Sequence, residues 1–225
     1  MFPCGEWGKI ISDIGMALET WLTFFVATWI LCLSPGPGAL AAMSSGLSHG
    51  FRQGYWTVIG MQLGGLLQIV VVAVGLGAVL ATSQFAFEAV RWCGVAYLAW
   101  LGIQQWRAPA TIGPIPADVA DAVSAKTLVL KGFLVNATNP KATIFLVAIL
   151  PQFVDPSRPL FAQYAVLAAT IVGVDLVVMA GYTGLASRLV PFLRAESHVK
   201  TLNRTIGTLF IGAALLLAGF RRAPG

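Results

Sequence analysis

The residues able to do chemistry fall in three places. Ser34-Pro35-Gly36-Pro37-Gly38 interrupts a stretch without Asp, Glu, Lys or Arg that runs from Thr20 to Ser48. Asn139-Pro140-Lys141 puts a lysine into an otherwise apolar run, and Asp175 is an acid with uncharged residues on both sides. Proline has no N–H, so Pro35 and Pro37 deprive the Leu31 and Leu33 carbonyls of helical partners, and Pro140 does the same to Asn136. In hydrocarbon an unpaired backbone group costs several kcal/mol, so such breaks persist only inside protein or beside a water-filled cavity. A helix restarting at Pro37, a favoured first-turn residue, turns the N–H groups of Gly38, Ala39 and Leu40 back toward the break. The positive end of its dipole lies there too, which suits a carboxylate. The stranded carbonyls suit an ammonium, so a zwitterion fits both ends.

Each feature has a plainer reading. The first break can be a kink that lets helices pack. Lys141 can reach an interface along its own stem, although its mid-span position makes that reach long. Asp175 can form a structural ion pair with Lys141, carry a proton, or bind an ammonium. A charge at the bilayer centre costs roughly 2.5–3.5 kcal/mol on insertion scales, which favours a functional role for both. Gln62 and Gln68 are possible polar lining, read equally well as bridges between helices. Ser34, Ser44, Ser45 and His49 lack a G-x-S-x-G context and an acid near His49 to orient it. The chain is therefore not read as an enzyme. Cys4, Cys32 and Cys93 have no metal or disulfide spacing, Cys32 and Cys93 reading as small core residues, and no cofactor is expected.

The elements that must position these residues are membrane helices. The chain is 57% hydrophobic and 10% charged, with a mean hydropathy of +0.81. Soluble domains carry about 25% charge. The net charge of +5 is scattered, without a basic stripe, which argues against nucleic-acid binding. As one helix, Thr20 to Ser48 would be about 43 Å long, against a hydrocarbon core of ~30 Å. The pattern predicts an all-α polytopic membrane protein with six transmembrane spans at about 17–48, 56–81, 85–106, 132–153, 160–187 and 205–220. Spans 1 and 4 are broken, residues 49–55 form a turn, and residues 108–130 form a connecting loop. Gly60-x-x-x-Gly64 should admit a closely packed neighbour. Residues 1–15 fit the rest poorly, so they read as an extension and Met16 as a natural start.

The halves 16–107 and 131–222 match. Arg91-x-x-Gly94 is echoed by Arg204-x-x-Gly207, the Ser34-Pro35 break by Asn139-Pro140, and Gly65 with Gln68 by Gly173 with Asp175. Three spans per half predicts an inverted repeat within a single transmembrane domain, with a midplane substrate site. Eight Lys and Arg fall on one side and five on the other, with Lys141 within the membrane. The richer side is then cytoplasmic and both termini lie outside.

These residues resemble the LysE/RhtB family of small amino-acid exporters from Met16 onward. The resemblance is carried by SPGPG, by HGFRQGY leading to Gly60 and Gly64, and by RWCGVAYLAWLG at 91–102. In the second half it is carried by NPKATIFLVAILPQFVD at 139–155 and GVDLVVMAGY at 173–182. It implies efflux of amino acids or related metabolites across a bacterial inner membrane, proton antiport, and a homodimer. Carried over, the motif positions are Pro35, Gly36, Pro37, Asn139, Pro140, Lys141 and Asp175. The chain departs from the family pattern at Gly38, often Asn, and at Gln68, often histidine. The rival expectation is a channel or a non-transporting membrane assembly protein, which tolerates kinks without a coupled charge pair.

Overall fold

Proline marks half of the helix boundaries in the computed structural model, which describes residues 16–80, 84–109, 123–186 and 195–219. Helix α1 spans Leu18–Leu33 and α2 Pro37–Leu80; α3 spans Gln84–Arg107, α4 Ala125–Ala137 and α5 Pro140–Ile149. A 3-10 turn at Leu150–Gln152 follows, then α6 at Leu160–Gly184 and α7 at Glu196–Gly219. Among the described residues there is no strand. Among the described residues two helices are long and apolar enough to cross a bilayer, Pro37–Gly75 and Leu160–Gly184. The pair Ala125–Ala137 and Pro140–Gln152, bent by 54° at the second break, makes a third. Helix α1 is apolar but short, at 16 residues.

Two expectations need correcting. The turn expected at 49–55 is a kink at one residue: Gly50 adopts φ 72° and ψ 174°, and helix resumes at once. Only glycine takes that conformation without strain. The arms before and after it pack together, so closely that a Cβ on Gly54 would stand 2.6 Å from the Ser45 carbonyl oxygen. The Ser45 and Thr57 hydroxyls bond across the kink at 2.8 Å. Of the loop expected at 108–130, residues 110–122 lie outside the described residues, and from Ala125 on the chain is already helix α4. Ser124 caps it, its hydroxyl accepting from the Thr127 N–H at 3.2 Å. A side-chain oxygen at that position satisfies one of the helix's orphan donors.

The glycine step at 60 and 64 does admit a neighbour, α4. A Cβ on Gly60 would collide with the Val129 carbonyl, one on Gly64 with Phe133, and one on Gly132 with Thr57. Small residues let two helix backbones approach this closely. Helices α3 and α7 meet in the same way at Gly102 and Gly207. Their seam adds bonds from Gln105 Nε2 to Asn203 Oδ1 at 2.8 Å and from Trp106 Nε1 to Thr208 Oγ1 at 3.0 Å. Helix α1 is tied to α6 by Trp21 Nε1 donating to Thr170 Oγ1 at 3.0 Å. Phe24, Phe145, Leu150, Leu167 and Phe210 are fully enclosed between these pairs. Two interrupted helices are thereby held facing each other.

Candidate functional site

Helix α1 stops at Leu33 because Pro35 cannot extend it. The Ser34 N–H closes a tight last turn on the Leu31 carbonyl at 3.2 Å. The Leu33 carbonyl accepts from the Tyr182 hydroxyl of α6 at 2.9 Å. Neither carbonyl is stranded, contrary to the reading from proline alone. The Ser34 carbonyl takes its donor from a side chain elsewhere in the fold. Helix α2 opens at Pro37 as expected, and the Leu40 N–H bonds the Gly36 carbonyl at 3.0 Å. The N–H groups of Gly38 and Ala39 have no acceptor among the described residues. They form a half-helix N-terminus with donors to spare.

The second break is built differently. Asn139 caps α5, its side chain accepting from the Lys141 N–H at 3.1 Å. The Asn136 carbonyl, expected to be freed by Pro140, accepts from the Asn139 N–H at 3.0 Å. The Asn136 amide reaches across to α2 and donates to the Met61 carbonyl at 2.7 Å. Gln68 of α2 donates into the break through Nε2, to the Thr143 hydroxyl at 2.6 Å and to the Asn139 and Ala137 carbonyls at 3.3 and 3.4 Å. A glutamine of α2 thus braces the carbonyls on either side of the break, while the Asn139 N–H takes the partner's place that Pro140 leaves empty.

The two breaks meet. The Lys141 Nζ donates to the Ser34 hydroxyl at 2.7 Å and to its carbonyl at 3.0 Å. Its stem lies over Gly36, where a Cβ would stand 3.6 Å from Cδ. The direct contact between Lys141 and Asp175, one of the alternatives read from the sequence, is not formed. Asp175 instead accepts from Gln62 Nε2 at 2.6 Å, with the Cys32 thiol beside it. Both charges line one cavity of about 90 Å³, with Ser34, Gly36, Gly38, Gln62, Gln68 and Asn139. Pro35, Pro37 and Pro140 shape the breaks but do not line the cavity. Ser34, Gln62 and Gln68 are buried.

Reading the sequence missed three partners. Cys32 was read as core filling, yet it lies two residues before the break and lines the cavity. Thr143 is one turn after Asn139, a spacing that signals a hydroxyl returning to the Asn139 carbonyl, and it does so at 3.1 Å. Tyr182 carries no sequence signal, since its role depends on how α6 packs against α1. Of the serines near His49, Ser45 is engaged by Thr57, and neither ring nitrogen of His49 has a partner among the described residues, so Ser45 and His49 do not form a nucleophile–base pair.

Interrupted membrane helices whose ends converge on a charged cavity define a transporter-type site. The chain belongs to the LysE type translocator family, which matches residues 29–219. It is 41% identical to the "Homoserine/homoserine lactone efflux protein" of Salmonella typhimurium over 208 residues, which is 92% of this chain and 100% of that protein. It is 40% identical over 205 residues to an uncharacterized membrane protein of Vibrio cholerae, 90% of this chain and 98% of the other. A "Leucine efflux protein" of Enterobacter sp. is 28% identical over 212 residues, 93% of this chain and 99% of that protein. No solved structure matches the chain.

Proposed function

We propose that this protein exports small zwitterionic amino acids or close relatives from a bacterial cytoplasm through the inner membrane. The observation that carries the reading is the cavity in which Lys141 and Asp175 stand apart, each held by its own partner. A substrate carboxylate takes Lys141 and the spare N–H groups of Gly38 and Ala39, where a helix N-terminus also favours an anion. The ammonium takes Asp175. The cavity size supports a small substrate. At about 10–15 Å³ per water-sized occupant, ~90 Å³ holds roughly six to nine. An amino acid with a side chain of up to four heavy atoms falls within that range. The names of the efflux relatives agree with this substrate class.

In this reading the six spans of the inverted repeat are α1 with residues 37–49, residues 51–80, α3, α4 with α5, α6, and α7. The matching breaks support it, since paired interruptions in corresponding spans mark the substrate site of such repeats. Transport proceeds by alternating access and proton antiport. Asp175 carries a proton on the return step and releases it when the ammonium arrives, as expected of an intramembrane acid. In this reading the side richer in Lys and Arg, which holds residues 107–126, is cytoplasmic and both termini lie outside. The homodimer implied by the family resemblance belongs to the reading, and cross-linking in intact membranes that yields only monomer would remove it.

The test is efflux of labelled amino acids from loaded cells, with and without a pH gradient, for wild type and Asp175→Asn. Wild type should export small amino acids and stop when the gradient is collapsed, and the variant should not respond to the gradient. If a correctly inserted wild type moves no amino acid, the reading fails. Export that ignores the gradient rejects antiport and leaves a channel.

A further inference from the structure

Gln68 has a second end. Its Nε2 faces three oxygens, those of Ala137, Asn139 and Thr143, at 3.4, 3.3 and 2.6 Å. Turning the amide over would set Oε1 against two carbonyls that cannot donate, so the surroundings fix which atom is which. Oε1 then has no hydrogen-bond partner in the described structure, although the residue is only 6% exposed. A buried acceptor without a donor is unfavourable, and native proteins rarely keep one without use for it. This one belongs to a residue lining the cavity.

Its position relative to the charges is informative. Gln62, which holds Asp175, and Gln68 are six residues apart on α2, about 9 Å along the axis. Gly65 stands midway and adds no side chain of its own; the Asn136 amide of α4 comes within 3.0 Å of where its Cβ would be. Gln68 lines the same cavity as Asp175, so a substrate with its ammonium on Asp175 extends a short side chain ending in a donor toward it. Four bonds of about 1.5 Å span about 5 Å when extended. A hydrogen bond of ~2.8 Å at each end covers the remainder.

We propose that Gln68 Oε1 is the acceptor of a side-chain subsite that selects substrates ending in a hydrogen-bond donor, a hydroxyl before all, over aliphatic ones of equal size. The inference rests on the amino-acid exporter reading and assigns the far end of that same site. An aliphatic end leaves the acceptor unpaired, which is how a polar pocket rejects an isostere. The donor end of Gln68 is structural, holding the second break. One residue thus braces the fold and reads the substrate.

The experiment compares homoserine with norvaline, in which a methyl replaces the hydroxyl, as labelled substrates in the same efflux assay. Wild type should favour homoserine roughly tenfold in kcat/KM. Gln68→Met keeps length and removes both polar atoms, and its preference should fall to near one. Thr143→Val loosens the donor end but leaves Oε1, so it should lower both rates while keeping the preference. If Gln68→Met lowers both substrates by one factor and the preference survives, Gln68 only braces the break and the proposal is overturned. Equal export of both by wild type overturns it too, while leaving the exporter reading intact. If wild type moves neither, the exporter reading itself fails, and the subsite with it.

Discussion

The closest helix crossing gives a prediction whose sign depends on position alone. At Gly60 an added methyl would overlap the Val129 carbonyl and stand 2.7 and 2.8 Å from the carbonyl carbon and Cα. These atoms are backbone of α4 and cannot rotate aside. Ordinary contact begins near 3.4 Å, so α4 must move by several tenths of an ångström or more. Overpacking of this kind costs about 1–3 kcal/mol, and rigid backbone places it at the upper end. The helix-propensity gain of alanine over glycine, about 1 kcal/mol, offsets part. Gly60→Ala should therefore destabilise by about 2 kcal/mol, lowering Tm by roughly 4–8 °C for a chain of this size. At Gly212 of α7 no atom of the described residues lies within 4 Å of the added methyl. Gly212→Ala should keep the propensity gain and leave Tm unchanged or raised by ~2 °C. The assay is thermal unfolding of both variants in one detergent, followed by tryptophan fluorescence. Equal Tm for the two would refute the close α2–α4 crossing. Because α4 leads directly into Asn139 and Lys141, Gly60→Ala should also lower efflux.

Two further substitutions probe the breaks. Ser34→Ala removes the 2.7 Å partner of Lys141 but leaves the carbonyl at 3.0 Å. A hydrogen bond to a charged group contributes about 1.5–3 kcal/mol, so its loss frees Lys141 to swing toward Asp175, and KM for efflux should rise about tenfold or more. An unchanged KM would show that Ser34 does not hold the lysine in place. Tyr182→Phe leaves the Leu33 carbonyl unpaired beside the break. It should destabilise by about 1–3 kcal/mol, read as a lowered Tm with no change in the preference between homoserine and norvaline.

The sequence alone carried the local facts, because they follow from single residues. Pro35, Pro37 and Pro140 cannot donate, so helices had to end near them, and they do. Lys141 and Asp175 had to avoid lipid, and both line a cavity. Gly60 and Gly64 lack side chains, so another backbone could approach, and α4 does. The helical fold class followed from apolar runs that had no other way to satisfy their backbones. The start of α4 was misread because its cap, Ser124, lies in a polar stretch where one serine stands out little from its neighbours.

Tertiary structure decided who pairs with whom. Proline said that the Leu33 and Asn136 carbonyls lose a partner, not that Tyr182 and the Asn139 N–H would replace it. Charge said that Lys141 and Asp175 needed partners, and pairing them with each other was the simplest solution on paper. The fold instead set Ser34 against Lys141 and Gln62 against Asp175. Hydrogen bonds across more than a hundred residues depend on helix rotation and height to within an ångström, which glycine crossings and packed side chains fix and residue type does not. The separation of those two charges, and with it the room for a zwitterion between them, is a property of the packed helices.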